Sequence, residues 1–224
     1  TEETLANFTI ENDGYLIQTQ NTASNTNIGK ITVNKNSNPM FRLEATGWSS
    51  PVENQKLYDF AVGTVFGRVY FYDETANAFS AAGITTNSVF ELGQGYSVRA
   101  PNTYNSYTET ATPTVFEGVF YGRPNNGDIS INVTANNLGY NYVGNPYPSP
   151  ISIETFLDDN SSLIDGDLYF WRKTNNAAGS AYITYSGGAF SDGPHTYDNI
   201  QPGQGFIVKA NSAGNLAFNN LQRE

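Results

Sequence analysis

No cysteine occurs in these 224 residues. Its absence removes a disulfide framework, a thiolate metal site and a cysteine nucleophile. It fixes no compartment, because exported bacterial proteins also do without cysteine. Histidine is almost as scarce. His195 is the only one, so a Ser-His-Asp triad or a His-based zinc centre would have to pass through the turn-rich "SDGPHTYDN", and no G-x-S-x-G elbow is present. Charged residues make up only 14%, with a single Met and few Leu, which leaves little helix vocabulary. No run approaches the ~18 apolar residues of a membrane helix, so no membrane insertion is expected. Basic charge is also short. Eleven Lys and Arg stand against 21 Asp and Glu, a formal net charge of −10, which repels phosphate backbones and anionic lipid. Nucleic acid is therefore not an expected partner, whereas cations and neutral polymers such as glycans remain open. The chain starts "TEETLANFTI", with neither Met nor a charged-plus-apolar leader. We therefore expect a piece of a larger parent, whose remaining domains are its first partners.

What the chain does hold is aromatic and turn-rich. Fifteen Tyr, 14 Phe and 2 Trp supply much of the apolar area. Clusters such as "ENDGY", "PNNGD", "GNPYPSP" and "SGGAFSDGP" place Asn, Asp, Gly or Pro between short β-branched and aromatic runs. The pattern predicts antiparallel strands over 67–73, 96–100, 114–122, 128–134, 168–173, 181–186 and 205–210. Helix is predicted only around 53–60 and 152–160, the second capped by Ser152.

One spacing organises the chain. Ser50-Pro51 and Ser149-Pro150 stand 99 positions apart (149 − 50), as do Tyr70-Phe71 and Tyr169-Phe170 (169 − 70). At that offset Trp48 meets Tyr147, Leu57 meets Phe156, Gly67 meets Gly166 and Tyr72 meets Trp171. "LGQGYSVRAP" from Leu92 and "PGQGFIVKAN" from Pro202 match at 110 (203 − 93), so the second copy has gained 11 residues (110 − 99) between these landmarks. We read an internal duplication: residues 1–40 form an N-terminal β segment, 41–135 a first β repeat and 136–224 a second. The expected fold class is all-β, two β-sandwich-like halves with short helical turns.

The stretches "GWSSPVENQKLYDF", "FEGVFYGRPNNGDISINVT", "YVGNPYPSPISIETFL" and "PGQGFIVKA" resemble a module of large surface proteins of Bacteroidota, particularly flavobacteria, exported by the type IX secretion system. The resemblance spans about Gly29 to Phe218. It implies a secreted, cell-surface, adhesin-like context and brings no catalytic residues with it.

Candidate sites follow from the residues. A Gly-Gln-Gly turn that opened a helix would cradle phosphate, but both copies lead into a strand. Their glycines are therefore read as structural and the Gln amide as a partner for a neighbouring loop. The strands "YFY" and "YFW" place Tyr70, Tyr72, Tyr169 and Trp171 on one face. Because both copies keep the pattern, burial is the first expectation for them and a flat platform for sugar rings the alternative. Trp48 and Tyr147 carry the same two readings. Asp158, Asp159, Asp165 and Asp167 offer oxygen ligands for calcium without EF-hand spacing; a solvated acidic loop is the first expectation for them and a calcium site the alternative, and no cofactor is required. Glu44, Glu91, Glu109, Glu117 and Glu154 form no recognised carboxylate pair, so an enzyme is not expected and a polysaccharide-degrading activity is the distant alternative. Features found in one copy only are freer to bind. The second-copy loop carries Tyr182, Tyr185, Phe190, His195 and Tyr197, and Phe190 to Tyr197 are its best recognition residues. The expected function is a non-catalytic stalk or ligand-presenting module of a surface adhesin. Its alternative is a carbohydrate-binding module that takes a polysaccharide or surface glycan on Trp48, Tyr147, Trp171 or the loop aromatics.

Overall fold

A computed structural model describes residues 8–20, 22–172, 181–195 and 198–224. The first half of the chain forms β1 (Phe8–Ile10), β2 (Ile31–Asn36), β3 (Ala45–Trp48), helix α1 (Leu57–Phe60), β4 (Val69–Asp73), β5 (Ala78–Ser80), β6 (Tyr96–Arg99) and β7 (Glu117–Gly122). Next come β8 (Ile129–Val133), β9 (Tyr140–Gly144), β10 (Ile151–Ser152), helix α2 (Ile153–Asp159) and β11 (Ile164–Arg172). The chain ends with β12 (Ala181–Ser186), β13 (Ala189–Phe190), β14 (Asn199–Ile200), β15 (Gly205–Ala210), β16 (Gly214–Phe218) and a 3-10 turn at Asn220–Gln222. The fold is all-β, as the aromatic and β-branched composition predicts. Strand β7 shows why: Gly118, Phe120 and Gly122 face inward while Glu117, Val119 and Tyr121 face out. The expected cap is present, with Ser152 Oγ accepting from the Thr155 amide at 3.3 Å.

Two hydrophobic cores form, each beneath an antiparallel sheet. The first gathers Trp48, Phe60, Val98, Phe116 and Phe120 under the order β3-β6-β4-β5; the second gathers Tyr147, Phe156, Leu168, Phe206 and Phe218 under β13-β12-β11-β15-β9. Phe60 stacks on Phe120 with centroids 4.3 Å apart, and Phe156 meets Phe206 edge-on at 5.5 Å. Each fully buried ring of this kind contributes about 1.5–3 kcal/mol. The segment before residue 40 is built into the first core through Ile10, Ile31 and Val33, with β2 pairing antiparallel to β7 and β1 parallel to β2. Strand β8 pairs with β16 and sends Ile129 and Val133 into the second core. A boundary at 135, drawn from sequence spacing, therefore runs behind a strand that packs with the second half.

The Gly-Gln-Gly turns join the halves. Gly93 and Gly203 both hold positive φ, 71° and 68°, which favours glycine. The following glycine answers a different need. A Cβ on Gly95 would sit 2.6 Å from the Val143 carbonyl oxygen, and one on Gly205 would sit 3.1 Å from the Gly47 carbonyl carbon and Trp48 nitrogen, backbone of the opposite half in each case. Across the seam the Gly95 amide donates to Tyr142 O at 3.0 Å, the Gly144 amide to Gly93 O at 2.9 Å and the Ser49 amide to Gly203 O at 2.8 Å. Gln94 Nε2 also donates to Tyr142 O, at 3.0 Å. The turns are structural joints, as their passage into strands implies.

A second joint lies between β4 and β5. There the Glu74 carboxylate accepts from Thr134 Oγ1 and from the amides of Asn136, Asn137 and Gly139, at 2.7–3.0 Å. Burial opposes ionisation, but these four donors outweigh it and hold the carboxyl below its ordinary range. Among the described residues, no helix is long and apolar enough to cross a membrane.

Candidate functional site

Strand β11 alternates strictly enough to present one large ring to the outside. Leu168 and Phe170 point into the second core, and Trp171 is left 38% exposed on the opposite face. Its indole is held in place: Nε1 donates to Ala45 O in β3 at 3.1 Å, and Tyr182, its register partner on β12, meets it edge-on at 5.1 Å. The burial first expected for Trp171 is therefore only partial, since the ring stays 38% exposed outside both cores.

The β12–β13 hairpin turns through Gly187 and Gly188, both with positive φ, and brings Phe190 back beside Tyr185. Tyr185 is buried and braces the Phe190 ring edge-on at 4.9 Å. His195 then lies over Phe190 with centroids 4.1 Å apart, and its Nε2 is 2.8 Å from Asp192 Oδ1. Trp171, Phe190 and His195 line one groove of about 500 Å³, together with Ile183 and the amides of Asn38, Asn199, Gln201 and Gln204. The polar side chains are themselves cross-linked. Gln204 Oε1 accepts from the backbone N–H of Gln201 at 2.9 Å, and Tyr15 Oη donates to Gln201 Oε1 at 3.1 Å. Rings plus fixed amide donors and acceptors suit a ligand with apolar faces and hydroxyl edges.

The family model described as "Domain of unknown function (DUF8693)" matches residues 1–224. The chain belongs to this family. No curated protein and no solved structure matches it.

In this DUF8693 domain the residues expected to bind divide sharply. Trp48, 5% exposed, is a core residue packed against Phe60 at 5.1 Å and against Phe116 and Phe120 at 6.1 Å. Tyr147 is wholly buried; its phenol donates to Gly127 O at 2.6 Å, the Arg223 guanidinium lies 4.8 Å over its ring, and burial pushes its pKa well up. For both, burial is the first of the two readings and is what the structure shows; the alternative, a surface platform, falls, because each sits where one half closes over its own hydrophobic layer. The register also separates them. Trp48 stands opposite Tyr96 and Val143 opposite Phe206, so the ladder matches Trp48 with Val143 and leaves Tyr147 four positions on (147 − 143). Tyr185 supports the groove from behind, and Tyr197 lies outside the described residues.

The four acidic residues considered for calcium go to separate places in the DUF8693 fold. Asp159 accepts from Asn219 Nδ2 and Gln222 Nε2, both at 2.8 Å, and so anchors the C-terminal turn. Asp165 accepts from the Asp167 amide at 3.2 Å and lies 3.7 Å from Lys209 Nζ, at the irregular start of β11 where Gly166 has φ of 89°. Asp158 is exposed at the end of α2, where its carbonyl accepts from Ser161 Oγ at 2.8 Å. Among the described residues, no three His, Asp or Glu side chains gather as a metal group.

Of the groove's amides, that of Gln204 is expected from the sequence as a partner for a neighbouring loop, and those of Asn38, Asn199 and Gln201 are not singled out there. A signal for one of them was present: Gln201 faces Glu91 at the 110-residue offset (201 − 91), so it is a feature of the second copy alone.

Proposed function

We propose that this domain is a non-catalytic, ligand-presenting module of a secreted cell-surface protein, and that its ligand is a polysaccharide held in the Trp171 groove. The observation that carries the reading is the exposure of Trp171 beside the Phe190–His195 pair, in a groove whose other walls combine the amides of Asn38, Asn199, Gln201 and Gln204 with Ile183 and the Asp192 carboxylate. A sugar ring offers C–H faces that stack on exposed aromatics and hydroxyl edges that pair with amides, and this groove supplies both kinds of contact. Recognition of this type uses no metal or cofactor. The extracellular setting rests on the resemblance to type IX-exported surface modules. Binding of the 224-residue chain to an immobilised panel of plant, algal and bacterial polysaccharides tests the reading. Retention of at least one neutral polysaccharide, lost in Trp171→Ala, supports it; equal binding by the variant contradicts it.

A further inference from the structure

Arg68 and Arg99 face each other across the first sheet. Val69 pairs with Val98 in the register of β4 and β6, and one step on the Arg99 amide donates to Arg68 O at 3.1 Å. Val69 and Val98 point into the first core, so the two arginine side chains share the outer face. Like charges placed directly opposite on a sheet are destabilising. Both arginines nevertheless line one cavity of about 300 Å³, whose other walls are Val65, Ala100 and Asn102.

Each guanidinium is oriented by a neutral partner. Arg68 Nη1 donates to Tyr70 Oη at 3.1 Å, and Arg99 Nε to Arg42 O at 3.4 Å. Among the described residues, neither forms an ion pair with a carboxylate. Glu44, whose carbonyl accepts from the Ala100 amide, directs its carboxylate to the Phe41 amide at 2.9 Å and lines a different cavity.

The second half carries its own anion at the same place. Leu168 pairs with Val208 there as Val69 pairs with Val98, so the register equates Arg68 with Asp167 at the offset of 99 (167 − 68) and Arg99 with Lys209 at 110 (209 − 99). The backbone turns alike in both halves, with Gly67 at φ of 78° and Gly166 at 89°. Lys209 Nζ lies 3.7 Å from Asp165 Oδ2, and Asp165 corresponds to Phe66 (165 − 66). The first half has therefore replaced both acids, by Phe66 and Arg68, and kept the cation.

We infer that the Arg68–Arg99 cavity binds an oxyanion, a carboxylate or sulfate group of a ligand, in the place that the second half fills with its own carboxylate. Guanidinium forks take such groups through paired N–H donors. Val65, 48% exposed, offers an apolar wall to whatever carries the group. The chain's net charge is −10, so the arginine pair is a local site and not part of a general basic surface. The inference stands apart from the glycan reading above, because the two cavities share no residue.

The test is two-dimensional NMR of the full chain titrated with sodium sulfate, sodium galacturonate and sodium hexagalacturonate, against sodium chloride at matched ionic strength. Signals of Arg68, Arg99 and Asn102 should shift saturably with sulfate or galacturonate, with half-saturation below about 10 mM, and should not do so with chloride. Phe66 lies outside both cores, and Phe66→Asp supplies the carboxylate that Asp165 supplies in the second half. Phe66→Asp and Arg99→Gln should each weaken anion binding at least about tenfold, with thermal midpoints within roughly 5 °C of the parent chain. Hexagalacturonate bound at least about tenfold more tightly than galacturonate assigns the group to an acidic polymer, and equal affinity assigns it to small anions; both support the site. Shifts as large with chloride, no saturation by about 100 mM with any of the three anions, or unchanged binding by the folded variants overturns it.

Discussion

The indole N–H of Trp171 donates to the carbonyl oxygen of Ala45, 126 residues earlier in the chain, at 3.1 Å. One side chain thereby serves two purposes. The bond tethers the second sheet to the edge of the first, and it fixes the orientation of the exposed ring on which the proposed ligand would stack.

Trp171→Phe separates those purposes. It keeps an aromatic ring and removes the donor to Ala45 O, so we predict a loss of about 1 kcal/mol in urea denaturation and a loss of less than about fivefold in polysaccharide binding.

Gly95→Ala tests the Gly-Gln-Gly joint. The added Cβ would press on the Val143 carbonyl at 2.6 Å, a backbone atom that can yield only by moving β9. We predict destabilisation of about 2–3 kcal/mol. Gly29, whose Cβ would meet nothing within 4 Å, should tolerate Ala to within about 0.5 kcal/mol. Chemical denaturation of the two variants side by side checks the contrast.

The duplication spacing and most strands were legible because glycine, Ser-Pro and aromatic landmarks recur at fixed offsets, and turn chemistry is local. The split among Trp48, Tyr147 and Trp171 was not. All three occupy strongly aromatic, similarly spaced positions, and which face of a strand meets solvent is decided by what the other half lays against it. The same limit hid Lys35, whose ammonium meets a carbonyl 23 residues earlier in the chain. The stretch from Ala189 to His195 was a better guide, because it lies in the longer loop of the second copy, whereas Tyr182 has a counterpart in Phe79: each meets edge-on the ring, Trp171 or Tyr72, that the 99-residue offset pairs. Phe190 and His195 do reach the groove.

Glu74 makes the inter-half joint acid-sensitive. Its folded pKa is depressed, so its contribution is fully present above the ordinary carboxylate pKa and is lost as pH falls through the folded value. Glu74→Gln offers one acceptor where the carboxylate offered two oxygens to four donors. We predict a thermal midpoint lowered by roughly 5–10 °C at pH 7, with a smaller difference from the parent chain in the acid range, read by circular dichroism melts between pH 2 and 7.

Lys35 acts at the other end of the scale. Burial lowers its pKa from 10.5 to about 8, with Asp13 opposing. Between these values the unfolded chain binds more protons at this residue than the folded one, so its term makes stability rise with pH from about 8 towards 10. We predict that Lys35→Met removes this rise, measured as the slope of unfolding free energy against pH across that window.

The most direct measurement is polysaccharide binding by Trp171→Ala, made together with its thermal midpoint. The ring lies outside both cores, so the account predicts a folded variant, with a midpoint within roughly 5 °C of the parent chain, that has lost at least about tenfold in affinity for every neutral polysaccharide the parent retains. A folded Trp171→Ala chain that binds those polysaccharides as tightly as the parent would contradict it.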